Sequence, residues 1–409
     1  MIDLGLRAAA LLAELAHASE DGPGVTRLPF TPQHRQALDQ LTAAMQETGL
    51  SVHLDAAGTL IGRQEGQTPD APVLLIGSHQ DSVREGGAFD GIMGVVLAIV
   101  ALAGLREHGI ALPFAVEVLA FADEEGVRFP TALVGPRALA GTVDPAVLDM
   151  ADADGITLRD AMQRFGLAPD TISRLHRDPA SVMGYIEVHI EQGPVLEAAD
   201  QALGVVTAIC GIERHQIMVM GETGHAGTLP MEGRRDALLG AAALVTEVNR
   251  LARSGEDLRG TVGALTVVPN VVNAVPRAVQ MTAELRAPRD DMREAAGQAL
   301  HRFAAELAQS TGLTIDIRRS YHQPAQPCDA HLTAVLQHAV RATGGRGMTL
   351  PSGATHDASA MADLCPMAML FVRCARGISH SPAEYASPED MGAAIAALGA
   401  TLRRLAFGE

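Results

Sequence analysis

The chain has 409 residues, enough for two domains that each bury a hydrophobic core. Its 48 acids against 31 bases give a formal charge of -17 with no basic run, which argues against nucleic acid or an anionic membrane surface as a partner. Every base is arginine, and the absence of lysine excludes a P-loop, a pyridoxal Schiff base, a lysine nucleophile and a carboxylated lysine bridging two metals.

In chain order, helical periodicity covers 3–18 and 32–49. Strand-like runs at 72–78, 114–122 and 184–190 then alternate with a long apolar helix at 92–107. The unbroken apolar run APVLLIG (71–77), followed by a buried helix, predicts a mostly parallel sheet covered by helices. From 209 to 322 the rhythm changes to strand 214–220, helix 233–253, strands 261–268 and 277–286, helix 290–311 and strand 314–320. This βαββαβ order is ferredoxin-like. The α/β character then returns with helix 330–343, strand 367–373 and helix 388–406. The expected architecture is therefore α/β, with a catalytic domain made of 1–208 and 323–409. A lid and dimerisation domain, 209–322, is inserted in it, with hinges near 208–211 and 321–325.

No run is long and apolar enough to span a bilayer, and the N-terminus lacks an export signal. Cys210, Cys328, Cys365 and Cys374 have no CxxC spacing and lie in mostly apolar settings. They are expected to be free thiols in a reducing, cytoplasmic protein.

Five metal-type ligands fall at or just after strand ends, where open α/β sheets place their sites. They are His79 in GSHQDS, Asp90 in GGAFDG, Glu125 in FADEEG, His189 in EVHIEQG and His380 in GISHSP. Two imidazole-plus-carboxylate sets sharing one carboxylate can hold two divalent cations, and without lysine the bridge must be an ordinary acid, for which Asp90 is the candidate. Asp90 also suits a helix N-cap, and both roles can coexist. Asp81, two residues past His79, has the spacing of a carboxylate that holds a metal-bound imidazole. Of the adjacent pair Glu124 and Glu125, one can ligate while the other handles protons.

These stretches resemble the M20-type metallohydrolases over nearly the full chain, and within them the branch of allantoate amidohydrolases, N-carbamoyl-L-amino-acid hydrolases and β-ureidopropionases. The resemblance is carried by GSHQDSVREGGAFDGIMGV (77–95), FADEEGVRFP (121–130), HIEQGPVLE (189–197), GHAGTLPMEGRRDAL (224–238), PNVVNAVP (269–276), SGATHDASAMA (352–362) and GISHSPAEY (377–385). HIEQGPVLE supplies a histidine where many peptidases of the superfamily carry an acid, which favours the ureido branch.

The resemblance implies two divalent ions per subunit, zinc or manganese, with cobalt or nickel also accepted. His79, Asp90 and His189 would hold one, and Asp90, Glu125 and His380 the other. Glu124 would be the general base, Asp81 would orient His79, and His225 would polarise the substrate carbonyl in the partner subunit of a homodimer. Asn273 and Arg286 would grip the substrate carboxylate, with further substrate contacts at Gln192, His215, Gly353 and Ala354. The implied reaction is hydrolysis of the ureido C–N bond of a small ureido acid. Allantoate leads on the wording of GVTRLPFTPQH and FADEEGVRFP, and an N-carbamoyl-L-amino acid is the alternative. An aminoacylase or peptidase, or a non-catalytic binding protein on the same fold, is a weaker reading. Thr59, Pro136, Thr355, Arg373 and Cys374 depart from the family's wording, and Thr355 and Arg373 would alter the pocket wall.

Overall fold

The computed structural model describes residues 2–408, which form two compact units. The larger comprises residues 2–207, 328–350 and 355–408, and the smaller residues 208–327 with 351–354.

The larger unit opens with helices α1 (Ile2–Ala16) and α2 (Pro32–Glu47). The Thr31 hydroxyl caps α2 by accepting the His34 N–H, and Pro32 supplies the preset φ of a first helical position. A hairpin of β1 (Ser51–Leu54) and β2 (Leu60–Gln64) follows, which the sequence pattern did not reveal. Then come β3 (Val73–His79), α3 (Ile92–Glu107), β4 (Ala115–Phe121), the short helices α4 (Val134–Ala140) and α5 (Leu158–Arg164), β5 (Val182–Ile190), α6 (Val195–Ala198) and β6 (Leu203–Ile209). Helix α3 is buried on every face from Ile92 to Leu105, so it carries no polar stripe and packs inside the unit. No helix among the described residues is long and apolar enough to cross a membrane.

The smaller unit runs through β7 (Gly211–Met220), α7 (Ala237–Ser254), β8 (Arg259–Thr261), β9 (Leu265–Val268), β10 (Ala278–Ala287), α8 (Asp290–Thr311), β11 (Thr314–Gln323) and β12 (Gln326–Pro327). Its antiparallel sheet has the order β11-β7-β10-β8, with β9 also on β10, which realises the βαββαβ pattern. Ile217 and Val219 of β7 and Val279, Met281 and Ala283 of β10 share a core with α7 and α8. Three details differ from expectation. Helix α7 starts at Ala237, because Asp236 caps it by accepting the Leu238 and Leu239 N–H groups. The single strand expected at 261–268 is two short ones. The unit also exceeds 209–322, because β11 runs on to Gln323 and Pro351–Ala354 belongs with it.

The chain returns to the larger unit through α9 (Ala330–Ala342), then β13 (Met348–Ser352), α10 (Asp357–Met361), β14 (Met367–Val372) and α11 (Pro388–Phe407). The sheet order in this unit is β1-β2-β4-β3-β5-β14-β6. Its centre, β4, β3, β5 and β14, is parallel throughout, with all but one residue buried. His79 pairs in register with Phe121, and Phe371 with His189, so the C-terminal ends of four strands meet along one edge.

Candidate metal centre

That edge brings the five expected ligands together. His79 is the last residue of β3, His189 lies one residue before the end of β5, and Glu125 follows β4 by four residues. Asp90 sits in the turn before α3. Its Oδ1 lies 3.1 Å from His189 Nε2 and 3.7 Å from His79 Nε2. Its Oδ2 lies 3.3 Å from His380 Nε2, and Glu125 Oε1 is 3.6 Å from the same nitrogen. Two donor sets result, His79–Asp90–His189 and Asp90–Glu125–His380. Gln192 also reaches Asp90 Oδ2, donating from Nε2 at 2.9 Å. Both Gln192 and His380 have left-handed backbones, φ 56° and 54°, a strain tolerated where a side chain must be aimed at a fixed point.

The donor chemistry fits a divalent cation. His79 Nδ1 donates to the Asp81 carbonyl at 3.0 Å and His189 Nδ1 to the Ile190 carbonyl at 2.9 Å. In the neutral rings each Nε2 is then a bare lone pair, and these two atoms face each other 3.5 Å apart. Two lone pairs cannot hydrogen-bond to one another. A cation held by them and Asp90 Oδ1 would satisfy all three, and Asp90 Oδ2, Glu125 and His380 offer a second donor set of the same kind. Gly91 makes room for this: its φ is +65°, and a Cβ there would lie 2.4 Å from the His79 ring.

Asp81 meets His79 through its backbone more closely than through its side chain. The nearer acceptor for His79 Nδ1 is its backbone carbonyl, while its carboxylate stands 3.5 Å away. That carboxylate instead accepts the N–H of Glu124 on Oδ1 at 3.1 Å and of Glu125 on Oδ2 at 3.2 Å. The turn after β4 is thereby fixed to the end of β3.

Charges are held out of their ordinary ranges here. Burial opposes ionisation of Asp90, but the His189, His380 and His79 imidazoles outweigh it and hold the carboxyl well below its usual value. Burial also disfavours a charged His79, yet Asp81, Glu124 and Glu125 raise it well above the usual value. Burial, with Asp90 and Asp81, pushes Glu125 up to about 7 against His79 and His380. For Glu124, burial and the carboxylates of Asp357, Glu125 and Asp81 raise the pKa well above normal, opposed by His79.

Sequence reasoning did not single out His356 or Glu187. The His356 ring meets His189 edge-on, centroids 4.6 Å apart, and Glu187 completes a third close group with them. Glu187 accepts from Ser78 Oγ at 2.9 Å and from the Ala358 N–H at 2.8 Å, which ties β3 and α10 to β5. Both residues lie inside quoted stretches, EVHIEQG and SGATHDA, but their spacing gave no sign of this packing.

The smaller unit carries the remaining candidates. His225 is exposed and pairs with Ala274 across an isolated bridge, and the Ala226 N–H donates to the Asn273 carbonyl, so His225 and Asn273 are brought side by side. Arg286 Nη1 donates to the Gly353 carbonyl at 2.6 Å and its Nε to Glu284 at 2.8 Å, which joins Arg286 to the 353–354 turn. His215 is not part of this group. It pairs in register with Ala283, on the face that packs against α7 and α8, whereas Arg286 projects from the other face. It lies 1 % exposed, with Nε2 2.8 Å from Glu213 and its ring against His301.

Several motif arginines serve the scaffold. Fully buried Arg27 donates to the Gln80, Leu15 and Ala18 carbonyls. Arg128 donates to the Pro29 and Phe30 carbonyls and pairs with Asp152, and Arg373 makes a two-point pair with Asp390. Thr59 and Pro136 are buried, and all four cysteines are free, with Cys328 partly exposed.

The family model for peptidases M20/M25/M40 matches residues 69–404. The N-carbamoyl-L-amino acid amidohydrolase of Geobacillus stearothermophilus is 40% identical over 386 residues, 94% of each chain. The allantoate deiminase of Arabidopsis thaliana is 37% identical over 418 residues, 95% of this chain and 80% of that one. Among solved structures, an amidase of the hydantoinase/carbamoylase family from Burkholderia multivorans superposes with a TM-score of 0.92 at 33% identity, covering 98% of both chains. With this match over most of its length, the chain belongs to the M20/M25/M40 peptidase family and is a metal-dependent amidohydrolase.

Proposed function

We propose that the chain hydrolyses the ureido C–N bond of a small ureido acid, releasing ammonia and carbon dioxide. The observation that carries this reading is Asp90, whose two oxygens face two separate histidine-containing donor sets. Two divalent cations, zinc or manganese with cobalt and nickel also accepted by such donors, would supply a water of lowered pKa and positive charge facing the carbamoyl oxygen. His79, Asp90 and His189 would hold one ion, and Asp90, Glu125 and His380 the other.

Glu124 takes the proton from the attacking water and returns it to the leaving nitrogen. Burial and neighbouring carboxylates keep its proton affinity high, which suits a group that must both accept and release. The C–N bond breaks as nitrogen takes that proton, and the resulting carbamate decomposes. Arg286 presents a planar fork that matches a carboxylate in two-point fashion, Asn273 adds a neutral donor, and His225 donates to the developing oxyanion. The smaller unit also serves as dimer interface in this reading. Large exposed apolar side chains on it, Met231, Leu239 and Val272, support that role. The free cysteines accord with a reducing, cytoplasmic setting.

Two ureido acids fit. The 40% identity to a carbamoylase favours an N-carbamoyl-L-amino acid. The wording of GVTRLPFTPQH and FADEEGVRFP favours allantoate, although the arginines of those stretches, Arg27 and Arg128, bind backbone carbonyls. The test is ammonia release from metal-reconstituted protein given allantoate and N-carbamoyl-L-methionine in parallel, with Glu124→Gln as control. The faster substrate assigns the branch. Release from neither by protein that retains its metals overturns the proposal, as does full activity of the control.

A further inference from the structure

We infer that Glu384 is a positioning residue for the metal centre, a clamp that fixes the shared ligand Asp90 from the far end of the chain. Its Oε1 accepts two consecutive backbone N–H groups, those of Phe89 and Asp90, each at 2.9 Å. Residues 294 and 295 positions apart in sequence are thus held at one oxygen. The fit is tight. Glu384 is only 5% exposed, and a Cβ on Gly87 would fall 2.3–2.4 Å from its side chain, so this turn needs glycine there. Tyr385 packs edge-on against Phe89 with centroids 5.8 Å apart, which docks the same segment a second time.

The geometry bears directly on Asp90. Two N–H groups converging on one carboxylate oxygen set the peptide planes on both sides of Phe89 and so the direction of the Asp90 Cα–Cβ bond. His380, four residues earlier, brings Nε2 to 3.3 Å from Asp90 Oδ2. One short segment therefore delivers both an imidazole and the support for the carboxylate that the imidazole faces. Groups that orient a metal ligand through hydrogen bonds commonly matter for affinity by about 10–100-fold when removed.

This inference rests on Asp90 holding metal, and the experiment separates the two. Full-length protein is stripped with chelator and titrated with Zn²⁺ against a chromophoric competitor. Glu384→Ala is expected to bind about 10–100-fold more weakly than wild type, with an unchanged circular dichroism spectrum. Glu384→Gln keeps an acceptor oxygen at the same reach and is expected to stay within about threefold. Wild-type affinity in Glu384→Ala, or a loss in Glu384→Gln as large as in Glu384→Ala, overturns the clamp. If Glu384→Ala does not fold, Glu384→Asp, one methylene short, carries the same expectation and the same refutation. Asp90→Ala serves as reference: wild-type affinity there removes the reading of the site itself, and the clamp with it.

Discussion

The carboxylate of Asp81 receives the backbone N–H of Glu124, so the residue just past one central strand holds the turn that follows the next. Because the His79 ring is anchored by the Asp81 carbonyl rather than by this carboxylate, the side chain can be changed while the metal ligand stays supported. Asp81→Asn would turn an amide N–H toward one of two donors, Glu124 or Glu125. The expected result is a fall in kcat of roughly 10–100-fold with the ion of the His79–Asp90–His189 set retained, since the turn that carries both Glu124 and Glu125 is displaced while the anchor of His79 is not. Metal analysis beside steady-state kinetics checks it, and loss of both ions together with activity would count against this division of labour.

The two donor sets share Asp90 and nothing else. His189→Ala and His380→Ala are each expected to bind about one equivalent of divalent metal where wild type binds about two, while Asp90→Ala loses both. Elemental analysis of dialysed protein reads this directly. Two full equivalents in His380→Ala would remove that residue from the ligand set.

Gly91 has a left-handed backbone, and a methyl group there would meet the His79 ring. Gly91→Ala is expected to lower stability by about 1–2 kcal/mol and to weaken metal binding as the imidazole is pushed aside. Urea denaturation of the metal-free protein isolates the first effect, and titration with metal the second.

His34 is fully buried, with Nδ1 accepting the Phe30 N–H and the ring stacked on Phe165. Burial, helped by Arg27 and Arg35, lowers its pKa from 6.5 to about 3. Between these values the unfolded chain binds the proton and the folded chain does not, so stability is full above pH 6.5 and falls as pH drops towards 3. The limiting slope is about 1.4 kcal/mol per pH unit. In His34→Asn, whose side-chain oxygen can accept the same N–H, the part of the acid sensitivity owed to this group should vanish. The stability difference between wild type and variant, followed by urea unfolding from pH 7 to pH 5, should move in favour of the variant. A difference independent of pH would show that His34 does not titrate on unfolding.

Much of this architecture was legible because its central strands are apolar without interruption, which only a sheet covered on both faces explains. Ligands that end such strands converge as a consequence of parallel order, and the gathering of His79, Asp90, Glu125, His189 and His380 followed from it. The β1–β2 hairpin was hidden because its first strand is short and half exposed, so its side chains give little periodicity. For His215, alternation along β7 separates it from its neighbours, but sequence does not say which face of the sheet the helices cover. Asp81 shows another boundary: spacing marks a residue near His79 but cannot choose between its carbonyl and its carboxylate. The support given by Glu384 and His356 depends on contacts between distant segments, and neither carries a spacing signature.

The length of chain between partners has a consequence for folding. The Glu384 contact to Asp90 closes a loop of 294 positions, and His380 faces the same carboxylate from the same late segment. The donors around Asp90 Oδ2 therefore come together only with tertiary structure, so their geometry reports on the folding of the larger unit and not on any local element.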